Sequence, residues 1–123
     1  MLVVDGDPIF LEQLSSFVKE CGYRVQEATD LESAMIKLKR HRLPIAIIDW
    51  DLDHGQAIEF IQQIRDNHRL RRTHILVLSM NRDPNIVEIS MNAGADDFFT
   101  KPIAIKELKS RLMWASNRLQ VLV

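Results

Sequence analysis

Four polar residues each close an apolar run, and they are Asp5, Asp49, Ser79 and Lys101. Two carboxylates brought together repel each other, and a divalent cation bound by their oxygens relieves that repulsion. A hydroxyl and an ammonium group beside them suit a phosphoryl group, whose spread negative charge needs several fixed donors. If these residues converge, they indicate transfer of a phosphoryl group onto Asp49.

Short apolar runs predict the strands that would position these residues. We expect strands over residues 2–4, 23–28, 45–49, 74–79 and 95–100. The run "IAIID" is continuously apolar, which is typical of a strand covered on both faces. The last run, "ADDFFT", is predicted to be an edge strand.

Apolar residues at helical spacing predict a helix after each strand. Pro8 opens the first helix, Gly22 ends it, and Asp30 caps the second helix. The predicted inward faces are Phe10, Leu14, Phe17 and Val18; Leu31, Ala34, Met35 and Leu38; Ala57, Ile58, Ile61 and Ile64; Ile86, Val87, Ser90 and Met91, within residues 84–92; and Ile105, Leu108, Leu112, Ala115 and Leu119.

The alternation of strands and helices predicts an α/β fold with a five-stranded parallel sheet and helices on both faces. Right-handed crossovers make this an open, doubly wound sheet. Such sheets bind ligands at the carboxyl ends of their strands, near the switch in strand order. The four polar residues stand at those ends, and a flavodoxin-like strand order would bring them to one rim.

Bulk properties exclude several classes of protein. The chain has 123 residues and a net charge of −1, so it offers no general attraction to nucleic acid or anionic membranes. No apolar run reaches the length of about 18 residues that a membrane span needs. A single cysteine, Cys21, excludes an internal disulfide and is typical of a reducing cytoplasm.

Four segments resemble the marker segments of the response-regulator receiver domain, in order and at matching spacing: "LVVDGDP", "IAIIDWDLDHG", "ILVLS" and "GADDFFTKPI". The resemblance covers essentially the whole chain and implies the strand order 2-1-3-4-5. It implies one receiver domain over residues 1–123. Because Met1 falls almost directly on the first strand, we expect this domain to be cut from a longer multidomain regulator. It also implies a bacterial, cytoplasmic phosphorelay protein that is not an enzyme beyond slow autodephosphorylation.

The resemblance implies a role for each site residue. Asp49 would accept phosphate from a histidine kinase, and Mg²⁺ would bind to Asp5, Asp49 and the backbone carbonyl of Asp51. Ser79 would be the switch hydroxyl that turns toward the phosphoryl group. Lys101 would pair with the phosphate. Phe98 would be the aromatic residue that changes rotamer, and the Lys101–Pro102 bond is often cis in this family.

Two departures from the family pattern lie on the metal side of the predicted pocket. The second member of the acidic pair after the first strand, which binds the metal directly, is here Gly6. The loop "DWDLDHG" is also shorter than usual and lacks the usual proline. Asp7 has two candidate roles, as the N-cap of the helix that Pro8 opens or as a replacement metal ligand. Both departures concern Mg²⁺ affinity more than the fold.

Two other functions compete with the phosphoacceptor reading. A pseudo-receiver would use the same fold as a phosphorylation-independent interaction module, which Gly6 favours and the joint presence of Asp49, Ser79 and Lys101 disfavours. The opening "VVDGDPI" also partly resembles haloacid-dehalogenase-like phosphatases, with Asp5 as nucleophile and Asp7 as acid/base. That second alternative leaves Asp49 unexplained.

The expected partners follow from the resemblance. They are a sensor histidine kinase or phosphotransfer protein, a second copy of the chain through the fourth helix, fifth strand and fifth helix, and a C-terminal output domain. The basic cluster "HRLRRTH" has no interleaved aromatic residues, so we predict a solvated turn and no direct nucleic-acid binding. Trp50 is expected at the surface, as exposed packing or as a partner contact.

Overall fold

A computed structural model describes residues 1–52 and 56–119 of the chain. In this part of the chain five strands alternate with five helices. The strands are β1 Leu2–Val4, β2 Gln26–Ala28, β3 Ile45–Asp49, β4 His74–Ser79 and β5 Asp97–Thr100. The helices are α1 Pro8–Glu20, α2 Leu31–Arg40, α3 Ala57–Asp66, α4 Pro84–Ala93 and α5 Ile105–Leu119.

The strands form one parallel sheet in the order β2-β1-β3-β4-β5. This confirms the predicted fold class and strand order, with β5 at an edge. The order reverses between β1 and β3, so the carboxyl ends of these two strands border the crevice in which open α/β sheets bind ligands.

Alternate strand residues supply two apolar cores, one on each face of the sheet. In β4, for example, Val77 lies in the core beneath α2 and α3, whereas Leu76 and Leu78 lie in the core beneath α1 and α5. All three side chains are almost completely buried. This burial on both faces explains why the runs of β3 and β4 are continuously apolar rather than alternating.

The predicted helix ends are confirmed at three positions. The carboxylate of Asp7 accepts hydrogen bonds from the backbone N–H groups of Ile9 and Phe10, at 3.0 and 3.4 Å. The carboxylate of Asp30 accepts one from the N–H of Ser33 at 2.7 Å. After α1 the chain turns at Gly22 with a φ of +99°, which favours glycine.

Strand β2 is shorter than the prediction of residues 23–28, and Tyr23, which precedes it, packs beneath α5. Its hydroxyl donates to the carbonyl of Leu112 at 3.2 Å and contacts the hydroxyl of Ser116. The prediction for Trp50 is also wrong: its side chain is buried in the core beneath α2 and α3.

Three apolar residues predicted to face inward are exposed. They are Val87 and Met91 in α4 and Ile105 at the start of α5. In α4 only the small side chain of Ser90 is fully buried, and Ile86 packs against the core edge. None of the helices in the described residues is both long and apolar enough to cross a membrane.

Arg65, in α3, joins four segments at the end of the sheet opposite to the predicted rim. Its guanidinium donates to the carbonyls of Gly94, Arg71 and Thr73, at 2.9, 2.8 and 2.6 Å. It also forms an ion pair of 2.8 Å with Asp96, whose carboxylate accepts from a backbone N–H of β4. This network therefore holds the end of α4 and the starts of β4 and β5 together.

Candidate functional site

The structure brings Asp5, Asp49, Ser79 and Lys101 to one rim, at the carboxyl ends of β1, β3, β4 and β5. Backbone hydrogen bonds continue past the strand ends, since Trp50 N–H donates to the Leu78 carbonyl and Lys101 N–H to the Ser79 carbonyl, both at 2.8 Å. Three of the four residues line an open depression of about 660 Å³. The residues that line it are Asp5, Gly6, Asp7, Phe10, Asp49, Asp51, Leu52, Met80, Lys101 and Pro102.

Lys101 is the cation of the site and lies between two carboxylates. Its Nζ atom is 2.8 Å from Oδ2 of Asp5 and 3.7 Å from Oδ1 of Asp49. The ammonium group also lies 4.2 Å from the ring centroid of Phe10, where a cation–π contact contributes to its position. The Lys101–Pro102 peptide bond is cis.

Asp49 is a buried carboxylate held at the end of its strand. Its Oδ1 atom accepts a hydrogen bond from the N–H of Asp51 at 3.1 Å. Burial raises the pKa of Asp49, and repulsion from Asp5 raises it further, while Lys101 and the Asp51 N–H oppose the rise. The ionised form that could act as a nucleophile is therefore the form that the surrounding protein disfavours.

Replacement of Asp49 by asparagine is expected to stabilise the protein at pH 7 in the absence of divalent cations. Because the pKa of Asp49 is higher in the folded than in the unfolded state, the folded protein binds more protons between the two values. Stability is consequently lost as the pH rises through that interval. Urea unfolding should show the gain at pH 7 and its disappearance below the ordinary aspartate range; an equal gain at pH 3 would contradict this origin.

Asp51 engages the end of β4 through its side chain, which the sequence interpretation missed. Its carboxylate accepts hydrogen bonds from the Ser79 hydroxyl, 3.2 Å from each oxygen, and from the Met80 N–H at 3.0 Å. The Ser79 oxygen in turn accepts from the N–H of Asn81 at 3.0 Å. The prediction had assigned a role only to the backbone carbonyl of Asp51, and sequence spacing gives no signal for the side-chain contact.

The metal side of the depression contains an apolar side chain near Gly6. A Cβ atom added at Gly6 would lie 2.9 Å from Cδ1 of Leu52, which is buried. The carboxylate of Asp7 caps α1, so one of its two candidate roles is confirmed. Within residues 1–52 and 56–119, no three Asp, Glu, His or Cys side chains are grouped as metal ligands.

The chemistry of the remaining donors nevertheless suits Mg²⁺. This ion commonly takes one or two carboxylates and keeps several waters, and Asp5 and Asp49 supply two mutually repelling carboxylates. A divalent cation between them would relieve the repulsion that raises the pKa of Asp49. The donor set therefore fits the ion, with one carboxylate fewer than the family pattern provides.

Phe98 does not line the depression. It is half-buried and packs against the core beneath α2 and α3, whereas Phe99 is buried in the opposite core. Alternation along β5 explains this division, because successive side chains of a strand point to opposite faces. Phe98 pairs with Val77 of β4. Its switch role stays a prediction.

The fold and the rim together define a doubly wound α/β domain with two carboxylates, a hydroxyl and an ammonium group at the carboxyl ends of its strands. The chain belongs to the response regulator receiver domain family, and the sequence model of that family matches residues 1–113. The match covers the four segments on which the predicted resemblance rests.

Individual relatives agree with this assignment. The chain is 27% identical over 119 residues to the phosphate regulon transcriptional regulatory protein PhoB of Escherichia coli K12, covering 97% of the chain and 52% of PhoB. It is 30% identical over 118 residues to the KDP operon transcriptional regulatory protein KdpE of the same strain, covering 96% of the chain and 51% of KdpE. The chain thus spans about half the length of these relatives.

The fold also matches solved structures. The chemotaxis response regulator CheY4 of Vibrio cholerae superimposes with a TM-score of 0.84 at 24% identity, covering 93% of this chain and 95% of CheY4. At this identity the match is evidence for the fold alone.

Proposed function

We propose that the chain is a phosphoacceptor that receives a phosphoryl group on Asp49 within a two-component pathway. The observation that carries this proposal is the position of Asp49 in the open depression, with the Lys101 ammonium 3.7 Å from its carboxylate. A cation at this distance can pair with the oxygens of an incoming phosphoryl group. Ser79 and the Met80 N–H supply neutral donors at the neighbouring strand end.

The reaction needs little covalent chemistry from the protein. An oxygen of the Asp49 carboxylate attacks phosphorus as the bond from phosphorus to the donor breaks, and the donor atom leaves with the bonding electrons. Catalysis then consists of positioning and charge stabilisation, which Lys101 and the Asp51 N–H contribute from fixed positions. The domain is a signalling acceptor in this proposal, and autodephosphorylation is its only turnover.

Mg²⁺ would be held by the carboxylates of Asp5 and Asp49 and by the backbone carbonyl of Asp51. When bound, the ion supplies positive charge to the phosphoryl oxygens. The carboxylate of Asp5 is held by Lys101 and by the N–H of Asp7 at 2.9 Å, so its orientation is set by contacts within the fold. The absence of a carboxylate at Gly6 supports weaker ion binding than the family pattern implies.

The phosphoryl group would change the surface formed by α4, β5 and α5 through Ser79 and Phe98. Couplings between such sites are typically about 1–3 kcal/mol. The two helices of this surface carry several exposed apolar side chains, namely Val87, Ile89, Met91, Met113 and Trp114. They support the proposal that a second copy of the chain docks here.

The phosphodonor would be a sensor histidine kinase or a phosphotransfer protein in the cytoplasm. PhoB and KdpE are transcriptional regulatory proteins about twice as long as this chain. We therefore include a C-terminal output domain in the proposal. The receiver domain itself would make no direct contact with nucleic acid.

The test is incubation with acetyl phosphate, with and without Mg²⁺, beside the variant Asp49→Asn. We expect the intact mass to increase by one phosphoryl group in the parent protein, only with Mg²⁺, and not in the variant. Absence of the adduct in the parent, under conditions that label an ordinary receiver domain, would refute the proposal. An adduct that persists in Asp49→Asn would place the acceptor elsewhere.

A phosphorylation-independent interaction module is the second candidate function. It is favoured by one observation, the buried Leu52 beside the position where a Gly6 side chain would stand. The same experiment separates the candidates, because an interaction module would show no adduct and would bind its partner equally well as Asp49→Asn.

The variant Gly6→Asp is expected to bind Mg²⁺ about tenfold more tightly, because it adds a carboxylate to the two already present. Isothermal titration of the unphosphorylated protein measures this directly. The added side chain needs Leu52 to move, since its terminal methyl would be 2.9 Å from the new Cβ. The matched control is Leu52→Ala, which makes that space without adding a ligand; equal tightening in both variants would contradict the ligand explanation.

A further inference from the structure

Two hydrogen-bond donors at the end of β4 converge on one anion in the resting protein. The Ser79 hydroxyl lies 3.2 Å from each carboxylate oxygen of Asp51, and the Met80 N–H lies 3.0 Å from one of them. Ser79 is completely buried, whereas Asp51 is exposed. Ser79 is therefore fixed in the fold, and the anion that it binds comes from an exposed side chain.

The same donors lie next to the strand end that carries Asp49. Asp49 is paired with Leu78, the residue before Ser79, and the backbone N–H of Asp51 donates to the Asp49 carboxylate at 3.1 Å. A serine hydroxyl has one hydrogen to donate, so Ser79 serves either the Asp51 carboxylate or another acceptor. A phosphoryl group would also repel the negative charge of Asp51.

We infer that Asp51 is a positioning residue whose carboxylate occupies the Ser79 and Met80 donors until a phosphoryl group displaces it. This inference rests on the proposed function for the displacement step, and on the resting contacts alone for the occupancy. It has two consequences. Without phosphate, the turn after β4 is held by the hydrogen bonds that Ser79 and Met80 donate to Asp51. Phosphorylation must therefore first release the Asp51 side chain into solvent.

The test compares Asp51→Ala with Asp51→Asn, which keeps an acceptor oxygen but not the charge. Asp83→Ala is the matched control, because the Asp83 carboxylate caps α4 through the Asn85 N–H at 2.9 Å and does not bind Ser79 or Met80. In the unphosphorylated protein, amide hydrogen exchange at Met80 should be about tenfold faster or more in Asp51→Ala. Asp51→Asn should show a smaller increase, and Asp83→Ala should leave this amide unchanged.

The second readout is the rate of labelling by acetyl phosphate with saturating Mg²⁺. We expect Asp51→Ala to be labelled about tenfold faster than the parent, since a charged hydrogen bond and its repulsion are removed. A side chain that only stabilised the loop would instead slow labelling when it is lost, so an unchanged or slower rate overturns the displacement step. Equal exchange at Met80 in the parent and in Asp51→Ala overturns the occupancy.

The two readouts keep this inference separate from the proposed function. If no variant is labelled on Asp49 but Met80 exchange responds as expected, the phosphoacceptor proposal fails and the occupancy of the donors by Asp51 is supported. Circular dichroism of each variant verifies that the fold is retained before either rate is interpreted.

Discussion

Replacement of Lys101 by methionine is expected to lower the free energy of unfolding at pH 7 by about 3–5 kcal/mol without divalent cations. The ammonium of Lys101 is 2.8 Å from Asp5, whose side chain is only 2% exposed. Methionine retains the apolar stem over Phe10 but leaves two buried carboxylates without a cation. Urea denaturation of the parent and the variant measures the difference.

The pH dependence of this loss identifies its cause. Lys101 opposes the rise in the pKa of Asp49, so its removal should raise that pKa further. The loss of stability should then shrink as the pH falls and Asp49 takes up a proton. Lys101→Arg keeps a positive charge and should retain most of the stability, and Asp5→Asn combined with Lys101→Met should recover part of it. A loss that is the same at pH 7 and pH 3 would contradict the electrostatic explanation.

The rim could be predicted because each residue of the site closes an apolar run. Asp49 and Ser79 end β3 and β4, and these strands are covered on both faces, so their boundaries are sharp in the sequence. Parallel strands bring their carboxyl ends to one edge whatever their loops contain. The convergence of all four residues required more, because it depends on the strand order, which the resemblance to a family implied.

Which side chains of the loop after β3 reach the rim could not be predicted, because this depends on the direction of each side chain in the loop. Asp51 turns toward β4, whereas its neighbours Trp50 and Leu52 are both buried in the core beneath α2 and α3, where Leu52 also lies near Gly6. These residues lie outside the strands and α-helices, so the sequence offers no regular element from which their directions could be inferred. Asp53, His54 and Gly55 of the same loop lie outside the described residues.

The inward face of α4 was predicted only in part, because Ile86 and Ser90 face the core as predicted whereas Val87 and Met91 are exposed. The apolar residues of α4 lie on more than one face of the helix, so their spacing alone does not show which face is inward. They are Ile86, Val87, Ile89 and Met91. The structure places a small residue, Ser90, against the core, and its hydroxyl donates to the Val87 carbonyl at 2.9 Å. Because the Ser90 hydroxyl finds its acceptor within the helix, this polar side chain can be buried.

Replacement of Arg65 by methionine is expected to lower the free energy of unfolding by about 3 kcal/mol, although Arg65 is remote from the rim. Its side chain is 23% exposed and donates to three carbonyls and to Asp96. Methionine keeps much of the apolar stem, so the variant isolates the loss of the guanidinium. The carbonyls of Gly94 and Thr73 and the carboxylate of Asp96 would lose a charged donor.

Arg65→Lys is the informative control, because it keeps the charge but has no planar array of donors. If the stability comes from simultaneous bonds to several acceptors, lysine should recover less than half of the loss measured by urea denaturation. Full recovery by lysine would show that the ion pair with Asp96 alone is sufficient. Because Arg65 lies at the opposite end of the sheet from Asp49, folded Arg65→Met should accept phosphate from acetyl phosphate at the parent's rate. The same variant thus separates the stability of the packing between α3, α4 and β5 from the phosphoryl transfer at the rim.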